Sequence, residues 1–267
     1  MRLTKHHGLG NDFLVLVDMD GTRPVTGSTA RAICDRHRGV GADGLLRVTA
    51  GSRVGDAVAD VTMHLFNADG GRAEMSGNGI SCLAQAVVLA GVVDGPTVAV
   101  ITDAGKRTVR IEPTEDACVH RATVDMGVAK VLDEDADWMD GTVLRAARVD
   151  VGNPHLVVHV PELLDDDDLA ARGQRANDSV PGGVNVELVT LGPQPDELMM
   201  QVYERGVGLT EACGTGACAA AAAAEQWGLT GRATRVRQPG GAADIVLGST
   251  IEMTVPIVHV ATIYLAA

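Results

Sequence analysis

Two short loops hold the residues best suited to chemistry. Ser76-Gly77-Asn78-Gly79 and Cys213-Gly214-Thr215-Gly216 share the form [Ser/Cys]-Gly-x-Gly and lie 137 residues apart. Nine residues before each loop stands a polar residue closing a strand-like segment, Asn67 in Phe66-Asn67 and Glu204 in Tyr203-Glu204, again 137 apart. Each loop opens a run of small residues, which places Ser76 and Cys213 at helix N-termini. Open N–H groups and the positive end of the helix dipole there favour a bound carboxylate and are expected to lower a thiol pKa toward neutral. The glycines let the backbone come close to a ligand. One such loop alone is an ordinary glycine-rich cap; two at matched spacing point to paired acid–base groups. That pair suits inversion of a stereocentre without a cofactor. A proton leaves one face of Cα, another returns to the opposite face, and backbone donors hold the carboxylate as enolate charge develops.

The elements that must carry these loops are legible. DFLVLVD (12–18), VTMHLFN (61–67), TVAVIT (97–102), HLVVHV (155–160), NVELVT (185–190) and MMQVYE (199–204) read as strands bounded by Gly, Pro and Asp. ISCLAQAVVLAG (80–91) and ACAAAAAAEQWG (217–228) read as helices, each closed by a glycine. The acidic run ELLDDDDLAARGQ (162–174) reads as a plain surface helix or loop. Ala84 and Ala221 share the offset of 137, and Gly10-Asn11 matches Gly152-Asn153 at 142. The expectation is a mixed α/β chain (α+β type) made of two similar halves. They divide into residues 1–115, completed by a C-terminal strand at 258–267, and residues 116–257.

Composition removes other classes. A net charge of −13 has the wrong sign for phosphate backbones or an anionic membrane surface, and six aromatic residues in 267 supply few stacking platforms. Gly8-Leu9-Gly10 lacks the G-x-G-x-x-G context of a dinucleotide loop, and the chain has no phosphate-binding lysine loop. Neither a metal nor a cofactor is expected, because the histidines and cysteines show no ligand spacing. Five cysteines, an odd number, and an N-terminal stretch without an apolar leader lead to the expectation of a cytoplasmic protein with free thiols.

The motifs HGLGNDF (7–13), RHRGVGADG (36–44), FNADGGRAEMSGNG (66–79), VGNPHLV (151–157), GGVNVE (182–187) and ERGVGLTEACGTGACA (204–219) together resemble the diaminopimelate epimerase family. These are cofactor-independent enzymes of lysine and peptidoglycan-precursor biosynthesis. The resemblance covers nearly the whole chain in order. It implies two pseudo-symmetric domains, each a mixed sheet wrapped around a central helix, with the substrate in the cleft between them and a homodimer as the assembly. It further implies that Asn11, Asn67, Asn153 and Asn185 hydrogen-bond the substrate and that Glu204 and Arg205 read its distal amino and carboxylate groups. Gly77-Asn78 and Gly214-Thr215 would bind the reacting carboxylate. Cys213 would be one base, with His155 and Glu204 tuning protonation beside it. Taken singly, an Asn in a Gly-Asn turn is equally a turn former, and Glu204 beside Arg205 equally a surface pair.

The chain departs from the family at the first loop. The family pattern Met-Cys-Gly-Asn-Gly-x-Arg-Cys reads Met75-Ser76-Gly77-Asn78-Gly79-Ile80-Ser81-Cys82. Ser76 stands at the position of the first catalytic cysteine, and a hydroxyl is a far weaker base than a thiol, whose reference pKa is about 8.5. Cys82 does not replace it, since six helical residues rise about 9 Å. Ser81 in place of the arginine is expected to remove a supporting contact. Four accounts remain open at this point. Ser76, or a water it positions, handles one face; the chain is a relative acting on another amino acid or from one face through Cys213; the serine is an introduced substitution; or the chain binds the ligand without turnover.

Overall fold

The computed structural model describes every residue except 52, 55–56, 74, 135–140 and 267. The chain packs as two units, Met1–Asp125 with Thr254–Ala267, and Met126–Met253. The first unit holds β1 (Arg2–Gly8), β2 (Asn11–Val17), α1 (Gly27–Cys34), β3 (Gly44–Ala50), the short pair β4 (Arg53–Val54) and β5 (Ala57–Val58), β6 (Val61–Asn67), β7 (Arg72–Ala73), α2 (Gly77–Leu89), β8 (Thr97–Thr102), β9 (Gly105–Pro113) and β10 (Val119–Asp125). The second holds β11 (Lys130–Glu134), β12 (Arg145–Asp150), β13 (Pro154–His159), α3 (Asp166–Ser179), β14 (Asn185–Leu191), β15 (Glu197–Glu204), β16 (Gly208–Thr210), α4 (Gly214–Gln226), β17 (Ala233–Gln238) and β18 (Gly241–Leu247). The last strand, β19 (Ile251–Tyr264), belongs to the first unit from Thr254 onward. The first unit ends ten residues beyond the break expected at 115, because β10 runs in register along β9, with His120 opposite Pro113.

In the first unit the strands pair in the order β1–β2–β3–β6–β8–β9–β10–β19, and β19 returns to β1, so the sheet closes on itself. Closure removes the open strand edges. Pairs β2–β3 and β6–β8 are parallel, whereas β1–β2, β3–β6, β8–β9, β9–β10 and β1–β19 are antiparallel, which makes a mixed sheet. The second unit repeats the pattern. Pairs β13–β14 and β15–β17 are parallel, while β12–β13, β14–β15 and β17–β18 are antiparallel.

Each sheet surrounds one helix. Helix α2 is buried from Gly77 through Val87, and α4 from Gly216 through Ala224, so each is enclosed around its whole circumference. The alanine run at 219–224 is the consequence, since strands crowd that helix on every side and admit only small side chains. Both helices end alike. Gly91 and Gly228 take positive φ of 66° and 71°; Gly91 N–H and Val92 N–H donate to Val88 O and Val87 O, and Gly228 N–H and Leu229 N–H to Glu225 O and Ala224 O. This is the terminating pattern that the two glycines imply.

Outer helices cover the other face. α1 packs over Leu14, Leu16 and Leu45, and α3 over Leu156, Val186 and Leu188. Strands β2 and β14 are therefore buried almost continuously, whereas burial alternates along β9 and β17. The acidic run forms the start of α3, with Asp165 as its cap, accepting from Asp168 N, and Asp166, Asp167 and Asp168 in the first turn. Those charges suit a helix N-terminus. Leu9 and Gly10, with φ of 53° and 85°, make the two-residue turn joining Gly8 to Asn11, so this glycine-rich stretch is a hairpin.

Candidate active site

Ser76 and Cys213 are both helix caps. Ser76 Oγ accepts from Gly79 N–H at 3.0 Å, and Cys213 Sγ accepts from Gly216 N–H at 3.4 Å. The first-turn N–H groups of residues 77–78 and 214–215 lie ahead of the helical ladders, which begin with Ile80 N–H to Ser76 O and Ala217 N–H to Cys213 O. They have the orientation that an anion site requires.

In the second unit Cys213 joins a dense polar cluster. Its own N–H donates to Gln238 Oε1 at 2.7 Å, and its sulfur lies 3.5 Å from Thr215 Oγ1. Asn153 Nδ2 donates to that same hydroxyl at 3.4 Å, and Asn153 Oδ1 meets His155 Nε2 at 3.0 Å. His155 Nδ1 then meets Glu187 Oε1 at 2.7 Å, with both side chains fully buried. Glu204 is held by Thr210, whose hydroxyl donates to Oε1 at 2.5 Å. Burial, helped by the neighbouring Glu187 charge, raises the Glu204 pKa against the pull of Thr210, Cys213 and His155.

The Cys213 thiol departs from the sequence expectation. Its pKa lies well above the ordinary thiol value, because burial and then the Glu204 and Glu187 charges outweigh the Thr215 hydroxyl and Gly216 N–H. A helix N-terminus favours the thiolate, but two carboxylates in a buried setting oppose it more strongly.

Asn185 braces the loop that follows β15. Its Oδ1 accepts from Arg205 N–H at 2.9 Å and its Nδ2 donates to Pro154 O at 3.2 Å. The exposed Arg205 guanidinium donates to Gly182 O at 3.2 Å, and Gly183 is required beside it, since a Cβ there would lie 2.8 Å from Arg205 Cγ.

The first unit's cap has a different setting. Asn78 is buried, and its Nδ2 lies 3.5 Å from Asn11 Oδ1, which repeats the Thr215–Asn153 contact of the second unit. Asn11 Nδ2 donates to Asp43 Oδ2 at 2.9 Å, while Arg36 spans Asp12 and Asp43 at 2.8 Å to each. The RHRGVGADG motif thereby orients Asn11. Asn67 closes β6 opposite Gly44 and is exposed. Ser81 Oγ donates to Gly77 O at 2.8 Å, so the serine turns back onto its own helix.

The second cluster also contains residues that sequence reasoning missed. Glu187, Gln238 and Thr210 were not singled out, although a glutamate inside the apolar strand NVELVTL was the available signal for Glu187. Among the described residues no helix is long and apolar enough to cross a membrane, and no group of three metal-ligating side chains forms.

Comparison with known proteins decides the family. A family model for diaminopimelate epimerase matches residues 3–132 and 147–255. The diaminopimelate epimerase of Thermobifida fusca is 40% identical over 258 residues, covering 93% of this chain and 92% of the relative. The chain belongs to the diaminopimelate epimerase family. That of Mycolicibacterium paratuberculosis is also 40% identical, over 94% of this chain and 90% of its own. A diaminopimelate epimerase relative is an isomerase, and amino-acid epimerisation in lysine biosynthesis is the activity this membership supports. The fold extends further. A hydroxyproline epimerase from Agrobacterium vitis superposes with a TM-score of 0.73 at 16% identity, covering 98% of this chain and 91% of that one. A phenazine biosynthesis protein of the PhzF family from Bacillus anthracis gives 0.72 at 13%, covering 100% and 99%.

Proposed function

We propose that the chain interconverts LL- and meso-diaminopimelate, with one acid–base group from each unit. The observation that carries this reading is the repeated cap, Ser76 and Cys213 at the same place in two copies of one topology, in a chain of this family. Cys213, as thiolate, takes the Cα proton on one face. The N–H groups of Gly77-Asn78 and Gly214-Thr215 hold the substrate carboxylate and absorb the charge that appears on it. A proton then returns to the other face from Ser76 or from a water that Ser76 positions; after product leaves, solvent returns a proton to that oxygen and takes the one Cys213 removed. Asn11, Asn67, Asn153 and Asn185 bind the amino-acid groups, Glu204 and Arg205 the distal end, and His155 and Glu204 tune the proton on Cys213. The protein works in the cytoplasm as a homodimer and uses no cofactor.

Because Cys213 must lose its proton, a substrate that displaces water and engages Glu204 is the event that activates it. One observation favours a second reading, exchange from a single face. Beside the first cap, a Cβ on Gly79 would meet the hydrocarbon ring of Phe13 at 3.4 Å, where a Cβ on Gly216 would meet the Glu187 carboxylate at 2.6 Å. Incubating each stereoisomer in D2O separates the two. The proposed reaction places deuterium at Cα of the inverted product, and Cys213→Ala abolishes it. Exchange with retention supports the one-face reading, and tight binding with no exchange contradicts both.

A further inference from the structure

The His155–Glu187 pair is the most costly arrangement near Cys213. Both side chains are fully buried, and Glu187 Oε2 has no hydrogen-bond partner. Burying a carboxylate is unfavourable unless something compensates it. Packing does not demand it. At the same register positions in the first unit, where β2 runs beside β3, stand Phe13 and Leu46. The fold therefore accepts hydrocarbon there. Gly216 also makes room for the carboxylate, since a Cβ on it would lie 2.6 Å from Glu187 Oε1.

The contacts form one directed series. Two lone pairs would otherwise face each other at 2.7 Å, so a proton lies on the line from His155 Nδ1 to Glu187 Oε1. By the same argument Nε2–H donates to Asn153 Oδ1 at 3.0 Å. Asn153 Nδ2–H donates to Thr215 Oγ1 at 3.4 Å, which leaves the Thr215 hydrogen for Cys213 Sγ at 3.5 Å. We propose that Glu187 is a positioning residue: by fixing the His155 proton it orients Asn153 and turns the Thr215 hydroxyl toward Cys213, giving the deprotonated sulfur a donor. The proposal deepens the reading of Cys213 as an acid–base group and rests on it. The ionisable groups facing Cys213 are Glu204 from β15 and Glu187 from β14, with His155 from β13 behind Glu187.

The test is the pH dependence of Cys213 alkylation by iodoacetamide in substrate-free protein, followed by peptide mass mapping. Glu187→Leu, which copies Leu46, removes a charge that raises the Cys213 pKa and, on this proposal, the Thr215 donor that lowers it. The charge acts equally with valine at position 215, so the shift caused by Glu187→Leu is expected to be about one unit more positive with Thr215 present than in a Thr215→Val background. Equal shifts in the two backgrounds show Glu187 acting as a bare charge and overturn the proposal. A second measurement needs no folded variant at position 187. Nitrogen-15 spectra of the unsubstituted protein, with His155→Gln for assignment, are expected to show hydrogen on His155 Nε2 at pH 7; a bare Nε2 overturns the proposal. Neither readout uses diaminopimelate, so a chain inactive on that substrate still decides the question.

Discussion

Phe13 and Leu46 stand in the first unit where His155 and Glu187 stand in the second, although the paired strands, the capped helix and the terminating glycine are the same. One copy of the fold has hydrocarbon at these two positions and caps its helix with a hydroxyl. The other carries a buried acid, a histidine and a thiol in hydrogen-bonded sequence. The two copies thus share a helix cap and differ in the groups beside it. The contact between the third loop residue and the paired asparagine, Asn78 to Asn11 and Thr215 to Asn153, survives in both copies and belongs to the shared cap.

The largest effect that separates the copies is expected from Cys213→Ala. Losing the thiol should lower epimerisation by about 10³-fold, read by circular dichroism or coupled assay, whereas Ser76→Ala should cost about tenfold or less. Equal losses would show the two caps to be functionally alike. Next is a steric comparison. Gly216→Ala places a Cβ 2.6 Å from Glu187 Oε1 and 3.2 Å from Cys213 Cβ, and is expected to cost about 2 kcal/mol by overpacking. Gly79→Ala meets Ser76 Cβ at 3.0 Å, and the helix preference for alanine offsets part of that strain, so its cost stays under about 1 kcal/mol. Urea unfolding of the two variants ranks them.

A smaller effect comes from Glu204, which stands where the first unit has neutral Asn67. Burial raises the folded-state Glu204 pKa, so its contribution to stability is full below the ordinary carboxylate range and is lost as pH rises through the raised value. Thermal unfolding followed from pH 4 to pH 8 should therefore show a decline that Glu204→Gln flattens. Asp12 behaves oppositely. Burial alone would raise it, but Arg36 and Lys5 bring it below its usual range, so its contribution holds above that range and fades as the solution is acidified. Arg36→Ala should shift acid unfolding to higher pH.

Much of this organisation was visible in the residues. The strand alternation, the two small-residue helices, Gly91 and Gly228 as their stops, and the 137-residue offset are local or periodic signals, and these survive folding directly. Closure of the first sheet was not visible, because the pairing of β10 and β19 depends on residues more than a hundred positions apart. The thiol was misjudged for a related reason. The helix N-terminus that lowers its pKa is encoded beside Cys213, whereas Glu187 and Glu204, which raise it, come from two other strands. The direction of the Ser81 side chain was not visible either: its hydroxyl bonds back to Gly77 O, one turn earlier in its own helix.

The inversion rate of Ser76→Cys, measured from both LL- and meso-diaminopimelate in reduced buffer, is the most direct test of the proposal that each cap supplies an acid–base group and that Ser76 is the weaker of the two. A thiol at position 76 is expected to raise inversion about tenfold or more in both directions, because it adds a titratable group to the face that has only a hydroxyl. An unchanged rate, or one that falls, would contradict the account.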